Sequence, residues 1–121
     1  MKKKNLNNKR KILGDQGEDL ALKNLQEKGY QFIGRNIKLF CGEIDLLFQD
    51  GETLVIVEVK TKSDESFGQA AEMITYKKKK KLLQLAKTLW QKYPNMTIRI
   101  DVVAIDHNDE IDHLVSAVQD D

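Results

Sequence analysis

The stretch Gly42–Lys60, GEIDLLFQDGETLVIVEVK, constrains the fold more than any other part of the chain. Two runs rich in Ile, Leu, Val and Phe flank Asp50-Gly51, a dipeptide that accepts the positive φ angles of a tight hairpin turn. A two-residue loop at Asp50 and Gly51 sets Gln49 against Glu52, Asp45 against Ile56 and Glu43 against Glu58. Side chains alternate along a strand, so Glu43, Asp45 and Leu47 then share a sheet face with Leu54, Ile56, Glu58 and Lys60. Val55, Val57 and Val59 occupy the other face. A strand apolar on both sides belongs in the middle of a covered sheet.

Charge in such a strand needs a reason. In this register Asp45 and Glu58 are diagonal neighbours, roughly 7–8 Å apart at the backbone, near enough for their carboxylates to converge on one ion. Without a cation, one of two like charges in a partly dry site takes up a proton. A small set of hard oxygen ligands that leaves room for water and phosphate oxygens suits Mg²⁺ or Mn²⁺. Lys60 points to the same face, where its ammonium can stabilise charge on a phosphate or orient an attacking water. The chemistry implied is metal-assisted phosphodiester hydrolysis. The competing reading makes Glu58 and Lys60 an ordinary ion pair on a wet sheet face.

The rest of the chain supplies the setting. LGDQGEDLALKNLQEKGY reads as a helix with Ala21, Leu22 and Leu25 on its apolar face and Gly29 as its stop, ending near Lys28. Glu18 stands out at the rim of that face, where the plain reading is attraction to the positive end of the helix dipole. Gly14 and Gly17 weaken a helix interior, so the helix starts after them or they allow close packing. YQFIGRNIKLF, GEIDLLFQ and TLVIVEVK read as three successive strands. ESFGQAAEMITYKKKKKLLQLAKTLWQKYP reads as a long helix starting near Phe67 to Gln69 and stopped by Pro94, with Ile74, Leu82, Leu85 and Leu89 at helical spacing. Lys78 falls on that inward stripe and is a candidate phosphate contact, while its lysine neighbours fan outward. Gln69 is a second candidate lining residue. Trp90 and Tyr93 read as core or edge packing. MTIRIDVVAID is a further strand carrying an Arg99–Asp101 pair, and IDHLVSAV is a short strand or helical turn. His107 and His113 read as surface residues. The sum is an α/β domain, a mixed sheet flanked by helices in the order α-β-β-β-α-β-β.

Composition narrows the class of protein. The 121 residues suit one domain. The first eleven, MKKKNLNNKRK, carry six basic side chains and little to bury, so they read as a flexible basic arm preceding a domain over 12–121. Basic residues number 20 and acidic ones 19, so net charge predicts no bulk attraction to nucleic acid or membrane and any affinity is local. The single Cys41 excludes an internal disulfide, and no Cys/His cluster suggests zinc, as in a reducing cytoplasm. No apolar run is long enough for a membrane span.

The ordered set Glu18, GEID with Asp45, and VEVK with Glu58 and Lys60 resembles the PD-(D/E)xK nuclease superfamily. GEIDLL, VEVKTK and FGQAAEMIT followed by lysine are similar to its YraN-like family of small bacterial proteins, from about Gly14 to about Val118. Ile44 stands where the superfamily has proline, and Lys62 where relatives often have arginine. The resemblance implies a restriction-endonuclease-like core related to archaeal Holliday-junction resolvases. It also implies metal binding by Asp45 and Glu58, with Glu18 completing the acidic cluster and Lys60 catalytic. Lys62, Lys78 and Gln69 would then meet nucleic acid. The expected activity is Mg²⁺-dependent (or Mn²⁺-dependent) DNA cleavage, with branched or junction DNA among the candidate substrates. A homodimer is a further expectation, since cutting both strands of a symmetric junction needs two sites related by a twofold axis. The alternative is a nucleic-acid-binding or protein-interaction module that retains the carboxylates without turnover.

Overall fold

The computed structural model describes residues 2–61 and 74–119, with side chains described from Asp15 onward. Helix α1 (Lys2–Glu27) is followed by strands β1 (Gln31–Leu39), β2 (Gly42–Asp50) and β3 (Thr53–Thr61). Helix α2 (Tyr76–Lys92) then precedes β4 (Thr97–Ile105) and β5 (Ile111–Leu114). The strands form one mixed sheet in the order β1-β2-β3-β4-β5, antiparallel throughout except for the parallel β3–β4 pair. This is the expected α/β class and element order. No helix among the described residues is long and apolar enough to cross a membrane.

Two apolar layers sandwich the sheet. Ala21 and Leu25 of α1 pack on Leu46, Phe48, Val55, Val57, Val103 and Ile105. Leu82, Leu85 and Leu89 of α2 pack on the opposite face, against Leu47, Leu54, Ile56, Ile100 and Val102. Strand β3 therefore is central and covered on both sides, as its unbroken apolar run requires.

Helix α1 closes as the sequence suggests. Gly29, at φ +93°, takes the left-handed position, the Gly29 N–H donates to Gln26 O, and the Tyr30 N–H donates to Leu25 O. Its start differs, because the helical backbone begins at Lys2, inside the segment expected as a flexible arm. Lysine, arginine and leucine are good helix formers and no proline intervenes, so an existing helix extends through them. Of the two readings of Gly17, close packing holds. A Cβ there would lie 2.7 Å from Thr61 Cγ2, so the absent side chain lets α1 settle onto the end of β3.

Helix α2 starts later than its apolar spacing suggests. Thr75 is the N-cap, in extended conformation, and its side chain accepts the Lys78 N–H at 3.1 Å. A threonine cap satisfies one of the free N–H groups of the first turn and so sets the boundary there. The expected start at Phe67 to Gln69 lies outside the described residues. Ile74 is nonetheless buried, immediately before the helix. Trp90 and Tyr93 are edge residues, with Trp90 53% exposed.

Candidate metal centre

The β2–β3 hairpin places the site, in a register two residues away from the expected one. Asp50 pairs with Thr53 and Leu46 with Val57, so Gly51 and Glu52 form the loop, with Gly51 at φ +60°. Glycine as the first of two loop residues suits a primed turn of the second kind, which places the turn one position later than an Asp-Gly loop. A shift of two preserves the faces. It brings Asp45 level with Glu58 instead of diagonal to it.

The ladder between β2 and β3 ends at Leu46–Val57, one residue short of Asp45. On the other side, Arg35 pairs with Leu46 and Ile37 with Ile44, leaving Asn36 and Asp45 facing each other. Asn36 is at φ +53°, a left-handed conformation that asparagine tolerates better than most residues. The kink reverses the alternation. Ile44 joins the α2-side core although Leu46, two residues on, belongs to the α1-side core. Glu43 is consequently exposed beside Lys38 and leaves the group with which a regular strand would place it. Freed from the ladder, the Asp45 carboxylate turns toward β3 and Oδ2 accepts the Val59 N–H at 2.9 Å.

Glu58 is 4% exposed, and the Lys78 ammonium reaches it from α2, with Nζ 3.0 Å from Oε2. That contact has ion-pair distance but not hydrogen-bond geometry, and Oε2 has no hydrogen-bond partner among the described residues. Asp45 and Glu58 stand level on adjacent strands, close enough for each carboxyl to act on the other. Burial, then the contact with Glu58 and its charge, push the Asp45 carboxyl up to about 7, against the opposing pull of the Val59 N–H and of Lys78. Two carboxylates thus face one ammonium group in a largely dry place.

Glu18 reaches the edge of this arrangement. Burial and the charge of Asp45 raise its pKa, while hydrogen bonds from Arg35 and Asn36 oppose the rise. Arg35 spans two helix carboxylates, 3.0 Å from Glu18 Oε1 and 2.6 Å from Asp19 Oδ1. The helix-dipole reading of Glu18 fails, because α1 begins at Lys2 and Glu18 sits well inside it, beyond the first turn where that field acts. Lys60 is half-buried, on the Glu58 face by alternation, and has no ion-pair partner among the described residues. That arrangement removes the simple Glu58–Lys60 surface pair, since Glu58 is buried and its ammonium partner is Lys78. Gln69 and Lys62 lie outside the described residues.

Among the described residues no group of three or more His, Cys, Asp or Glu side chains is gathered closely enough to hold an ion. Two carboxylates with open positions nevertheless match Mg²⁺ chemistry, in which one or two protein carboxylates are completed by water and phosphate oxygens. The buried Oε2 of Glu58, approached by the Lys78 ammonium but without a hydrogen bond, is the observation that fits a cation best. Arg35 and Asn36 carry no motif, and neither stands out in the sequence. Only the side of β1 on which Arg35 falls hints at the first, and asparagine's tolerance of positive φ at the second.

A second buried acid lies on the α1 side. Asp101 is 0% exposed, accepting from Arg99 Nε at 2.9 Å and from the Ser116 N–H at 2.9 Å, and it contacts His113 Nε2 at 2.8 Å. Arg99 also donates to the Tyr30 hydroxyl at 2.7 Å, and Lys28 Nζ meets His113 Nδ1 at 2.9 Å. Burial works to raise the Asp101 pKa, but hydrogen bonds from His113, Arg99 and the Ser116 N–H prevail and hold it low. The expected Arg99–Asp101 pair is present. His113 is not a surface residue, since its side chain is 4% exposed, drawn inward from β5 by Asp101.

Residues 17–105 match the family model described as Uncharacterised protein family UPF0102. A UPF0102 protein of Vibrio campbellii is 45% identical over 114 residues, covering 89% of this chain and 93% of its own. One from Herminiimonas arsenicoxydans is 43% identical over 111 residues, covering 91% and 89%. One from Acinetobacter baumannii strain AYE is 37% identical over 102 residues, covering 82% and 77%. The matched span takes in the carboxylate pair, both flanking helices' packed turns and the parallel strands, and the chain belongs to the UPF0102 family.

Proposed function

We propose that this protein is a Mg²⁺-dependent nuclease with a restriction-endonuclease-like core, hydrolysing phosphodiester bonds in DNA, with branched or junction DNA as its substrate class. One observation carries the reading: half-buried Asp45 and buried Glu58 act on each other beside the Lys78 ammonium, which stands 3.0 Å from Glu58 Oε2, and that oxygen lacks a hydrogen bond. A divalent cation would supply the missing positive charge. When bound, such an ion polarises a phosphate and makes a water nucleophilic near neutral pH.

The chain's own groups do the remainder. Asp45 and Glu58 would hold the ion, Asp45 being kept in place by the Val59 N–H. Lys60, two residues beyond Glu58 on its face, has an ammonium free to stabilise charge building on a phosphate oxygen. Lys78 adds positive charge beside Glu58, and Glu18, steadied by Arg35, adds negative charge at the edge. The outward lysines of α2 are exposed and suited to sequence-independent contact with a phosphate backbone.

The test is a cleavage panel of linear, nicked, flapped and four-way-junction DNA in Mg²⁺ or Mn²⁺, with wild type beside Asp45→Asn and Lys60→Ala. Wild type should cut branched DNA only with metal, and each variant should lose roughly 10²–10³-fold or more in rate while still binding. Binding by all three proteins with cutting by none would favour a nucleic-acid-binding module.

A further inference from the structure

We infer that Lys78 is a tethered stand-in for the divalent ion: its ammonium occupies the cation position beside Glu58 in the metal-free protein and swings out when the metal enters. The inference rests on the metal-centre reading and adds a residue that competes for the site. Three observations carry it.

The first is the geometry of the contact. Lys78 Nζ stands 3.0 Å from a carboxylate oxygen that has no hydrogen bond, and it makes none to that oxygen itself. It acts there as a point charge, the role an ion would take. The second is its reach, because its charge bears on Asp45 as well as on Glu58. One ammonium thus serves both carboxylates, and a divalent cation between them would meet Lys78 as a like charge. The third is the exit. Lys78 is 33% exposed although Glu58 is 4% exposed, so the side chain has its base on α2 and an open path to solvent. Its backbone is fixed by the Thr75 cap, which leaves motion to the four-carbon stem.

Displacement would leave the ammonium at the mouth of the site, where a substrate phosphate would meet it. Metal loading and substrate binding would then be linked through one side chain.

The experiment is Mn²⁺ titration by calorimetry of wild type, Lys78→Met and Lys78→Arg, with no nucleic acid present. Lys78→Met should bind Mn²⁺ about tenfold or more tightly than wild type, a difference of about 1.4 kcal/mol, and Lys78→Arg should return toward the wild-type value. Equal or weaker binding by Lys78→Met overturns the inference while leaving the metal site intact. Absence of Mn²⁺ binding in wild type and variants overturns both. A second measurement needs no variant: acylation of wild-type Lys78 by an amine-reactive reagent, followed by mass spectrometry, should rise severalfold on Mn²⁺ addition. Unchanged labelling of Lys78 under saturating Mn²⁺ counts equally against it.

Discussion

Two buried acidic places among the described residues, Asp101 on the α1 side of the sheet and the Asp45–Glu58 pair on the α2 side, treat the same chemical group in opposite ways. Asp101 is surrounded by Arg99, His113 and the Ser116 N–H, and its carboxyl is held low despite complete burial. Asp45 has one backbone donor and a neighbouring carboxyl, and its pKa rises to about 7. The difference lies in the donors each receives. A satisfied buried charge ties β4 to β5 and to the segment after α1, whereas the under-satisfied pair at a ladder's end is where the proposed cation would bind.

The largest effect should come from breaking the satisfied cluster. Asp101→Ala leaves Arg99 and His113 without their buried acceptor and should lower unfolding free energy by about 3–5 kcal/mol, measured by urea denaturation at pH 7. A loss below about 1 kcal/mol would show the network to be worth no more than a surface pair.

Asp45→Asn should act in the opposite direction and more weakly, raising stability at pH 8 by about 1–3 kcal/mol, because it removes one of two like charges from a dry place. The pH dependence sharpens the contrast. An acid with a folded pKa near 7 and an ordinary value of 3.8 holds its proton more tightly when folded. Its stabilisation is complete below about pH 4 and is lost as pH climbs through 7, a change on the order of a few kcal/mol. For Asp101 the sign is reversed, its contribution being present above the ordinary carboxylate range and lost as pH falls through its lowered folded value. Unfolding curves from pH 4 to 8 should therefore show a neutral-range slope in wild type that Asp45→Asn flattens. An unaltered slope would assign that proton to another group.

Much of this contrast is legible in the sequence, and the parts that are not have physical causes. Period-two alternation places Asp45, Glu58 and Lys60 together, and an even register shift cannot undo it. The same rule misplaces Glu43, since a left-handed Asn36 across from Asp45 reverses the alternation and no local pattern announces it. Lys78 is found because helical spacing from Leu82 points it inward. The start of α2 is not, because apolar spacing continues past a boundary that the Thr75 cap decides. His113 reads as a surface residue for a related reason: its partner Asp101 is twelve residues away, across the β4–β5 turn. The turn residues Asp50 and Gly51 are read correctly as a hairpin signal, yet the turn takes Gly51 as its first position, and only the ladder determines which.

The most direct test of the central claim, that Asp45 and Glu58 form one cation site, is anomalous diffraction from a crystal soaked in Mn²⁺. A peak lying between the Asp45 and Glu58 carboxylates, absent from an Asp45→Asn crystal treated identically, is the predicted result. A well-ordered site with no peak there, or a peak that persists in the variant, would contradict it.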